Sequence, residues 1–340
     1  MPGLIPIAGL ASTAEVAQEV GTPVLWAVSL AVLVVLLLVD FLLTRRPHAV
    51  GLREAVAWSV FYLALPVVFG VFLWGVHGGG PALDFATGYL VEKSLSVDNL
   101  FVFILLLAAF AVPPELAQRV LLFGIVGALV LRGIFIALGS AMVQAGTWAF
   151  LVFGAILFGT AAKLLRELLA GEAVDHDVST MRSVRLVRRL MPVTDGYRGT
   201  RLWVREGGRR ALTPLTVVVV AVLATDVVFA VDSIPAVYGV TEDPYLVFAT
   251  NAFALLGLRA LYFVLKSGLG RLVYLNHGLA VILALIGVKL VLHWAHGIWP
   301  GVPEIPTVAS LGGIVAILAV VTVASMRANR RSSRDLSTGS

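Results

Sequence analysis

The chain has 340 residues, of which 59% are hydrophobic and 13% are charged, and its mean hydropathy is +0.96. Soluble domains carry about 25% charged residues, so this composition excludes a soluble protein and indicates an integral membrane protein. The 25 Lys and Arg exceed the 20 Asp and Glu and give a net charge of +5, which in a membrane chain reports orientation rather than nucleic-acid binding. The absence of cysteine excludes disulfides and thiolate chemistry.

Nine apolar stretches are long enough to cross a bilayer as helices, which takes about 20 residues. We expect them at about 24–43, 54–76, 85–110, 117–139, 147–168, 213–237, 244–265, 273–295 and 307–326. The predicted fold class is therefore all-α integral membrane, with one polytopic domain over 1–340. Because the chain ahead of the first stretch contains Glu15 and Glu19 but no Lys or Arg, that stretch is interpreted as a retained span and not as a signal peptide.

Basic residues lie on alternate loops. Lys and Arg follow the first, third, fifth, seventh and ninth spans, whereas the other loops, such as 77–81, 241–244 and 293–306, contain none. By the positive-inside rule, the N-terminus is predicted to lie outside and the C-terminus in the cytoplasm.

Two segments outside the predicted spans are expected to be cytoplasmic. The Arg-rich loop 171–212 is interpreted as a linker lying against anionic headgroups, with a cytoplasmic partner as the alternative, and Leu202–Ala211 is predicted to form a hairpin around two glycines. Asp175, His176 and Asp177 within it are read as an exposed polar loop rather than a metal cluster. The tail 327–340 is predicted to be disordered.

Spans three to five (85–168) are predicted to repeat as spans six to eight (213–295). Residues 124–140 and 251–267 align with the intramembrane pair Arg132/Arg259, and in each copy two carboxylates lie six positions apart in the preceding span. Because each copy has three spans, the second enters the membrane from the opposite side. Inverted repeats of this kind typically place a transport site near the midplane, although retention of the duplicate for packing alone is the alternative.

Four carboxylates lie well inside the predicted spans, away from their ends, namely Glu92, Asp98, Asp226 and Asp232. A charge there costs at least about 2.5–3.5 kcal/mol and usually marks a pathway. Helical periodicity groups them with small polar residues: Glu92 with Ser96 and Asn99, Asp98 with Ser94, and Asp226 with Ser233. Pro235 cannot donate to the carbonyl of Val231, which leaves one more oxygen free beside Asp232.

Such a shell of oxygen ligands favours Mg²⁺, Ca²⁺ or Mn²⁺ over soft metals, and the residues alone do not choose among the three. The alternative is that the carboxylates only neutralise buried cations in ion pairs. For the two arginines a structural role is favoured, in which they hold the acidic helices and release them during transport. The residues expected to support the site are Lys93, Ser94, Ser96, Arg132, Asn251 and Arg259.

The strings TGYLVEKSLSVDNLFVF at 87–103, TDVVFAVDSIPAV at 225–237 and TNAFALLGLRALYFVL at 250–265 resemble the signature segments of the TerC family, named for tellurium resistance; PVTDGY at 192–197 and TPL at 213–215 add to the match. The resemblance implies a multi-pass protein of the bacterial inner membrane in the LysE-like transporter superfamily, several members of which act in manganese efflux. It also implies that the family's acidic motifs are Glu92, Asp98 and Asn99 in the first repeat and Asp226, Asp232 and Ser233 in the second.

The resulting hypothesis is a transporter that exports a divalent cation, Mn²⁺ above all, with Asp98 and Asp232 as central ligands, Asn99 and Ser233 as neutral ligands, and Glu92 and Asp226 as secondary ligands or proton acceptors. The sequence contains no Walker-type ATP-binding loop, so coupling to an ion or proton is expected, without a permanently bound cofactor. An aspartyl membrane enzyme is disfavoured because its YD and GxGD strings are absent. The remaining alternative is a non-transporting scaffold in a tellurite or metal stress response.

Overall fold

A computed structural model describes residues 20–43, 52–170, 192–194, 196–206, 209–266, 274–299 and 301–338. Over these ranges the chain forms ten α-helices and one two-stranded sheet. The helices and strands are, in chain order, α1 Pro23–Leu43, α2 Leu52–His77, α3 Gly79–Ala109, α4 Pro114–Ala145, α5 Trp148–Ala170, β1 Trp203–Glu206, β2 Arg209–Leu212, α6 Pro214–Tyr238, α7 Pro244–Leu256, α8 Leu258–Lys266, α9 Leu275–Ile298 and α10 Thr307–Thr338.

Eight stretches of the described helices are long and apolar enough to cross a membrane, with α7 and α8 counted together. They match eight of the nine predicted spans within a few residues, which confirms the prediction of an all-α membrane protein. The remaining span corresponds to α3, which has 31 residues but includes Asp84, Glu92, Lys93 and Asp98. These charges lower its hydropathy, so the crossing of α3 stays a prediction.

The predicted seventh span, 244–265, is long and apolar enough to cross a membrane, but it consists of two helices and not of one. Helix α7 begins at Pro244 because the Asp243 side chain accepts hydrogen bonds from the backbone N–H groups of Tyr245 and Leu246, at 2.8 and 3.3 Å. It ends at Leu256, and α8 begins after Gly257. Arg259 therefore lies on a separate helix from Asn251, whereas its predicted counterpart Arg132 lies in the middle of the uninterrupted α4.

The helices of the two predicted repeats pack reciprocally: α3 against α7, α4 against α6, and α5 against α9. Small residues bring these pairs close together. A Cβ added at Gly124 of α4 would lie 2.7 Å from the Val222 side chain of α6, and one at Gly154 of α5 would lie 3.4 Å from the Gly287 carbonyl oxygen of α9. A twofold relation between repeats would produce this exchange of partners, so the packing supports the inverted repeat, which stays a prediction.

Strands β1 and β2 pair antiparallel, which confirms the hairpin predicted around Gly207 and Gly208; those two glycines lie outside the described residues. So do the basic stretch 181–190 and the cluster Asp175 to Asp177. Near the C-terminus of the sequence, α10 continues to Thr338, where a disordered tail over 327–340 was expected. The segment 327–338 contains no Gly or Pro and includes Ala, Arg and Leu, so the helix propagates beyond its apolar part.

Candidate functional site

A buried cluster of charged side chains forms around Arg132, where α3, α4, α6 and α7 meet. The guanidinium of Arg132 donates to Asp226 through Nη2 at 3.2 Å and through Nε at 3.4 Å. Its Nη1 donates to Glu92 and also to Asn251 Oδ1, the latter at 2.7 Å. All four side chains are almost inaccessible to solvent, with relative exposures of 0 to 1%.

The cluster lies halfway along the bundle. Asp226 is twelve residues from either end of α6, which is about 18 Å along a helix that rises about 1.5 Å per residue. Two carboxylates against one guanidinium leave one net negative charge. Arginine suits this position because its planar fork presents five donors and holds several acceptors at once.

Four buried polar atoms near this level have no hydrogen-bond partner among the described residues: Glu92 Oε2, Ser96 Oγ, Asn99 Nδ2 and Ser233 Oγ. Their residues are 0 to 3% exposed. Buried polar groups in proteins are almost always satisfied, and an orphaned one costs about 1–3 kcal/mol. Because four of them lie close to the Arg132 cluster, this region is the candidate functional site.

The orphaned atoms continue two stripes that leave Arg132 in opposite directions. The inner stripe consists of Glu92, Ser96 and Asn99, which share one face of α3. The outer stripe consists of Asp226 and Ser233, which share one face of α6. The end of α3 contacts the loop before the hairpin, where Tyr197 donates to the Phe110 carbonyl oxygen at 2.8 Å, and α6 begins directly after that hairpin. The inner stripe therefore runs from Arg132 towards the hairpin side of the bundle, and the outer stripe runs towards the far side.

The structure does not gather all the predicted ligands into one site. Asp98 belongs to α3, but its side chain lies outside the described set. Asp232 is partly exposed, lies within electrostatic range of Glu92 and Arg132, and forms no ion pair with a described residue. Among the described residues, no group of three or more His, Cys, Asp or Glu is arranged to hold a metal ion. The metal-ligand roles therefore stay predictions. Glu92 and Asp226 are paired with Arg132, which is the arrangement expected if the carboxylates only neutralise buried cations.

The predicted supporting residues have different partners. Lys93 donates to the carbonyl oxygen of Ala254 at 3.3 Å, next to the α7–α8 break. Ser94 is satisfied by the Leu90 carbonyl oxygen of its own helix at 2.6 Å. Arg259 pairs with Asp40 of α1, away from the central cluster.

Two groups were missed by sequence reasoning. Asp40, the partner of Arg259, is 5% exposed, and its position inside the predicted first span was the signal that could have revealed it. On the far side, His293 contacts Glu242 at 3.1 Å through Nε2 and Glu304 at 2.9 Å through Nδ1. Sequence reasoning did not find these contacts, because the two glutamates belong to separate loops.

Comparison with known proteins agrees with this architecture. Residues 78–333 match the model of the integral membrane protein TerC family. An uncharacterized membrane protein of Myxococcus xanthus is 39% identical over 82% of this chain and 86% of its own length. A protein of Escherichia coli K12, whose name describes a proposed membrane-bound redox modulator, Alx, is 41% identical over 81% of this chain and 88% of its own length.

A third relative, an uncharacterized membrane protein of Mycobacterium tuberculosis H37Rv, is 42% identical over 80% of this chain and 68% of its own length. No solved structure gives a significant match. The family match covers most of the chain, including every helix of the central cluster. The chain therefore belongs to the TerC family of integral membrane proteins.

Proposed function

We propose that the protein is a secondary transporter that moves a divalent metal cation, with Mn²⁺ as the principal cargo, out of the cytoplasm along the two stripes that meet at Arg132. The observation that carries the proposal is the set of orphaned buried oxygen atoms on both stripes, Glu92 Oε2, Ser96 Oγ and Ser233 Oγ. A hydroxyl oxygen and a carboxylate oxygen are ligands that hard divalent cations accept. The inner stripe would receive the cation from the cytoplasm and the outer stripe would release it.

Arg132 would act as the barrier between the two stripes. Its guanidinium occupies the space between Glu92 and Asp226, and a cation cannot approach both carboxylates while that positive charge remains there. Binding of a divalent cation on the inner stripe would weaken the contact of Arg132 with Glu92 and favour a state that is open to the other side. Alternating access around a midplane site is the usual behaviour of inverted-repeat transporters.

The choice of Mn²⁺ rests on the oxygen ligands together with the resemblance to manganese-exporting members of the family. The redox role in the name of the Escherichia coli relative does not extend to this chain through thiol chemistry, because the chain has no cysteine.

The proposal is tested by the rate of Mn²⁺ entry into proteoliposomes that contain the purified protein and a dye quenched by Mn²⁺. Replacing Ser96 with Ala removes an orphaned hydroxyl from the inner stripe. We expect this change to lower the rate about tenfold, which corresponds to about 1.4 kcal/mol of lost stabilisation. Protein stability should not fall, since Ser96 Oγ has no partner among the described residues. Asp98→Ala and Asp232→Ala should lower the rate further.

The matched control is Ser94→Ala, two residues away on the same helix. Its hydroxyl already bonds to the Leu90 carbonyl oxygen, so its loss should leave the rate of Mn²⁺ entry unchanged. No protein-dependent Mn²⁺ entry in the wild type would contradict the proposal, and so would equal rates in the wild type, Ser96→Ala, Asp98→Ala and Asp232→Ala.

A further inference from the structure

The hairpin presents a face that combines aromatic and basic side chains. In its register Trp203 is opposite Leu212 and Arg205 is opposite Arg210, so these four side chains share one face. The other face contains Val204 and Ala211, and Ala211 is 6% exposed, whereas Trp203 is 66% exposed. The hairpin therefore lies with its small apolar residues against the protein and its Trp and Arg residues outward.

The hairpin is fixed at the end of the helix bundle. The backbone N–H of Thr213 donates to the Leu202 carbonyl oxygen at 3.0 Å, and the Thr213 hydroxyl donates to the Arg201 carbonyl oxygen at 2.7 Å. The adjoining loop is held by Tyr197, whose hydroxyl donates to the end of α3. Burial raises the pKa of Tyr197, so this hydroxyl stays protonated and remains a donor. Because α6 begins at Pro214, the exposed face lies where a membrane-crossing helix enters the bilayer.

Arg205 and Arg210 are directly opposite each other across the two strands, an arrangement that is unfavourable for like charges. Both are exposed, and neither forms an ion pair with another described residue. An anion between the two guanidinium groups would remove the repulsion and accept hydrogen bonds from both.

A groove of about 720 Å³ runs along the hairpin, lined by Arg201, Arg205, Arg210 and Trp203 and, on α4, by Phe123. Phe123 begins an outward-facing stripe of α4 that continues through residues 40 to 61% exposed, namely Val126, Val130, Ile134 and Leu138. This apolar stripe is the part of α4 that would face lipid. The groove therefore connects a cluster of guanidinium groups with a surface suited to acyl chains.

We propose that this groove binds an anionic phospholipid of the cytoplasmic leaflet, with its phosphate between Arg205 and Arg210 and one acyl chain along the stripe that begins at Phe123. Trp203 lies at the headgroup level, where tryptophan is enriched in membrane proteins. The apolar end of the groove selects a lipid over a free phosphate, which would use only the arginines. The site is separate from the transport pathway and does not depend on the proposed function.

The proposal is tested by native mass spectrometry of the full-length protein, titrated with phosphatidylglycerol and with phosphatidylcholine of the same acyl chains. We expect tight binding of phosphatidylglycerol only. The double variant Arg205→Gln/Arg210→Gln should weaken it at least about tenfold, because both charge-assisted hydrogen bonds to the phosphate are lost. The matched control, Arg53→Gln/Arg327→Gln, removes two exposed charges from helices elsewhere and should bind like the wild type.

Three results would overturn the lipid site: equal retention of the two lipids, equal affinity of the hairpin variant and the control, or full displacement of phosphatidylglycerol by millimolar inorganic phosphate. A second measurement needs no variant. Phosphatidylglycerol with a photoreactive group in its acyl chain should cross-link to the region of Phe123 and residues 200–212 in the wild-type protein, and cross-links confined to other helices would contradict the proposal.

Discussion

Arg132 is 1% exposed in the middle of the bundle, where a buried cation without partners would cost several kcal/mol. Its guanidinium donates two hydrogen bonds to Asp226 and also donates to Glu92 and Asn251. A lysine offers one point charge and could not serve these acceptors together. The residue thus joins three other helices through a single side chain, and any movement of those helices relative to α4 has to rearrange its contacts.

Replacing Arg132 with Met should destabilise the protein strongly, because Glu92 and Asp226 would remain buried without a counter-charge. We expect a loss of about 3–5 kcal/mol in the free energy of unfolding, as for other broken buried pairs, and a smaller loss for Arg132→Lys. Thermal unfolding of the purified protein measures both. The control is Lys163→Met, which removes an exposed lysine paired with Glu167 at 3.7 Å and should cost less than about 1 kcal/mol. Equal effects of the two Met variants would refute the structural role of Arg132.

The sequence predicted which charged residues are buried among the helices more successfully than it predicted their partners. Hydropathy alone located Glu92, Arg132 and Asp226, because an ionisable residue is conspicuous in an apolar stretch. It could not show that Arg132 holds both carboxylates while Arg259 pairs with Asp40, since that choice depends on how the helices pack. The repeat favoured equivalent roles for the two arginines, and the break before Arg259 removes that equivalence.

The break between α7 and α8 leaves the end of a helix inside the bundle. A continuous helix would satisfy the Ala254 carbonyl oxygen with a backbone N–H one turn later, and here the Lys93 ammonium donates to it. The break occurs at Gly257, and a Cβ there would lie 3.1 Å from Lys93 Nζ. A positive charge at the C-terminal end of a helix is favourable, so Lys93 stabilises the interruption directly beside Glu92.

A double-mutant cycle tests this role of Lys93. Lys93→Met should lower the free energy of unfolding by about 1–3 kcal/mol, the cost of an unsatisfied buried group. Gly257→Ala has two opposing effects: the right-handed helical backbone accepts Ala without strain, which favours the folded chain, and the new methyl group lies 3.1 Å from Lys93 Nζ, which opposes it. In the Lys93→Met background the ammonium is gone, so Gly257→Ala should be more favourable there than in the wild type. Strict additivity of the two changes would show that they act on different features.

This element shows where sequence information ends. A single glycine in an apolar stretch is compatible with an unbroken helix, so nothing in NAFALLGLRAL distinguishes a hinge from a close helix contact. The outer bounds of the α7–α8 pair were predictable, because the length of an apolar stretch is set by the bilayer. The break depends on Lys93 from another helix, which only the tertiary structure supplies.

At the scale of the whole molecule, the reciprocal packing of the two predicted repeats places the inner and outer stripes on opposite sides of one buried charge cluster. The carboxylate and its small polar neighbours in α3 lead towards the hairpin side, and those in α6 lead away from it. Under the proposed function each stripe is a half-pathway, and only one of them opens at a time.

The most direct test of that claim uses the absence of cysteine in the natural chain, which gives no labelling background. Ser96→Cys and Ser233→Cys are labelled with a membrane-impermeant thiol reagent from each side of sealed vesicles. We predict that Ser96→Cys reacts only from the cytoplasmic side and Ser233→Cys only from the external side, and that Mn²⁺ slows both reactions. Two results would contradict a cation pathway that passes Arg132. Either Ser96→Cys and Ser233→Cys are labelled from the same side, or Mn²⁺ does not change the labelling rate of either residue.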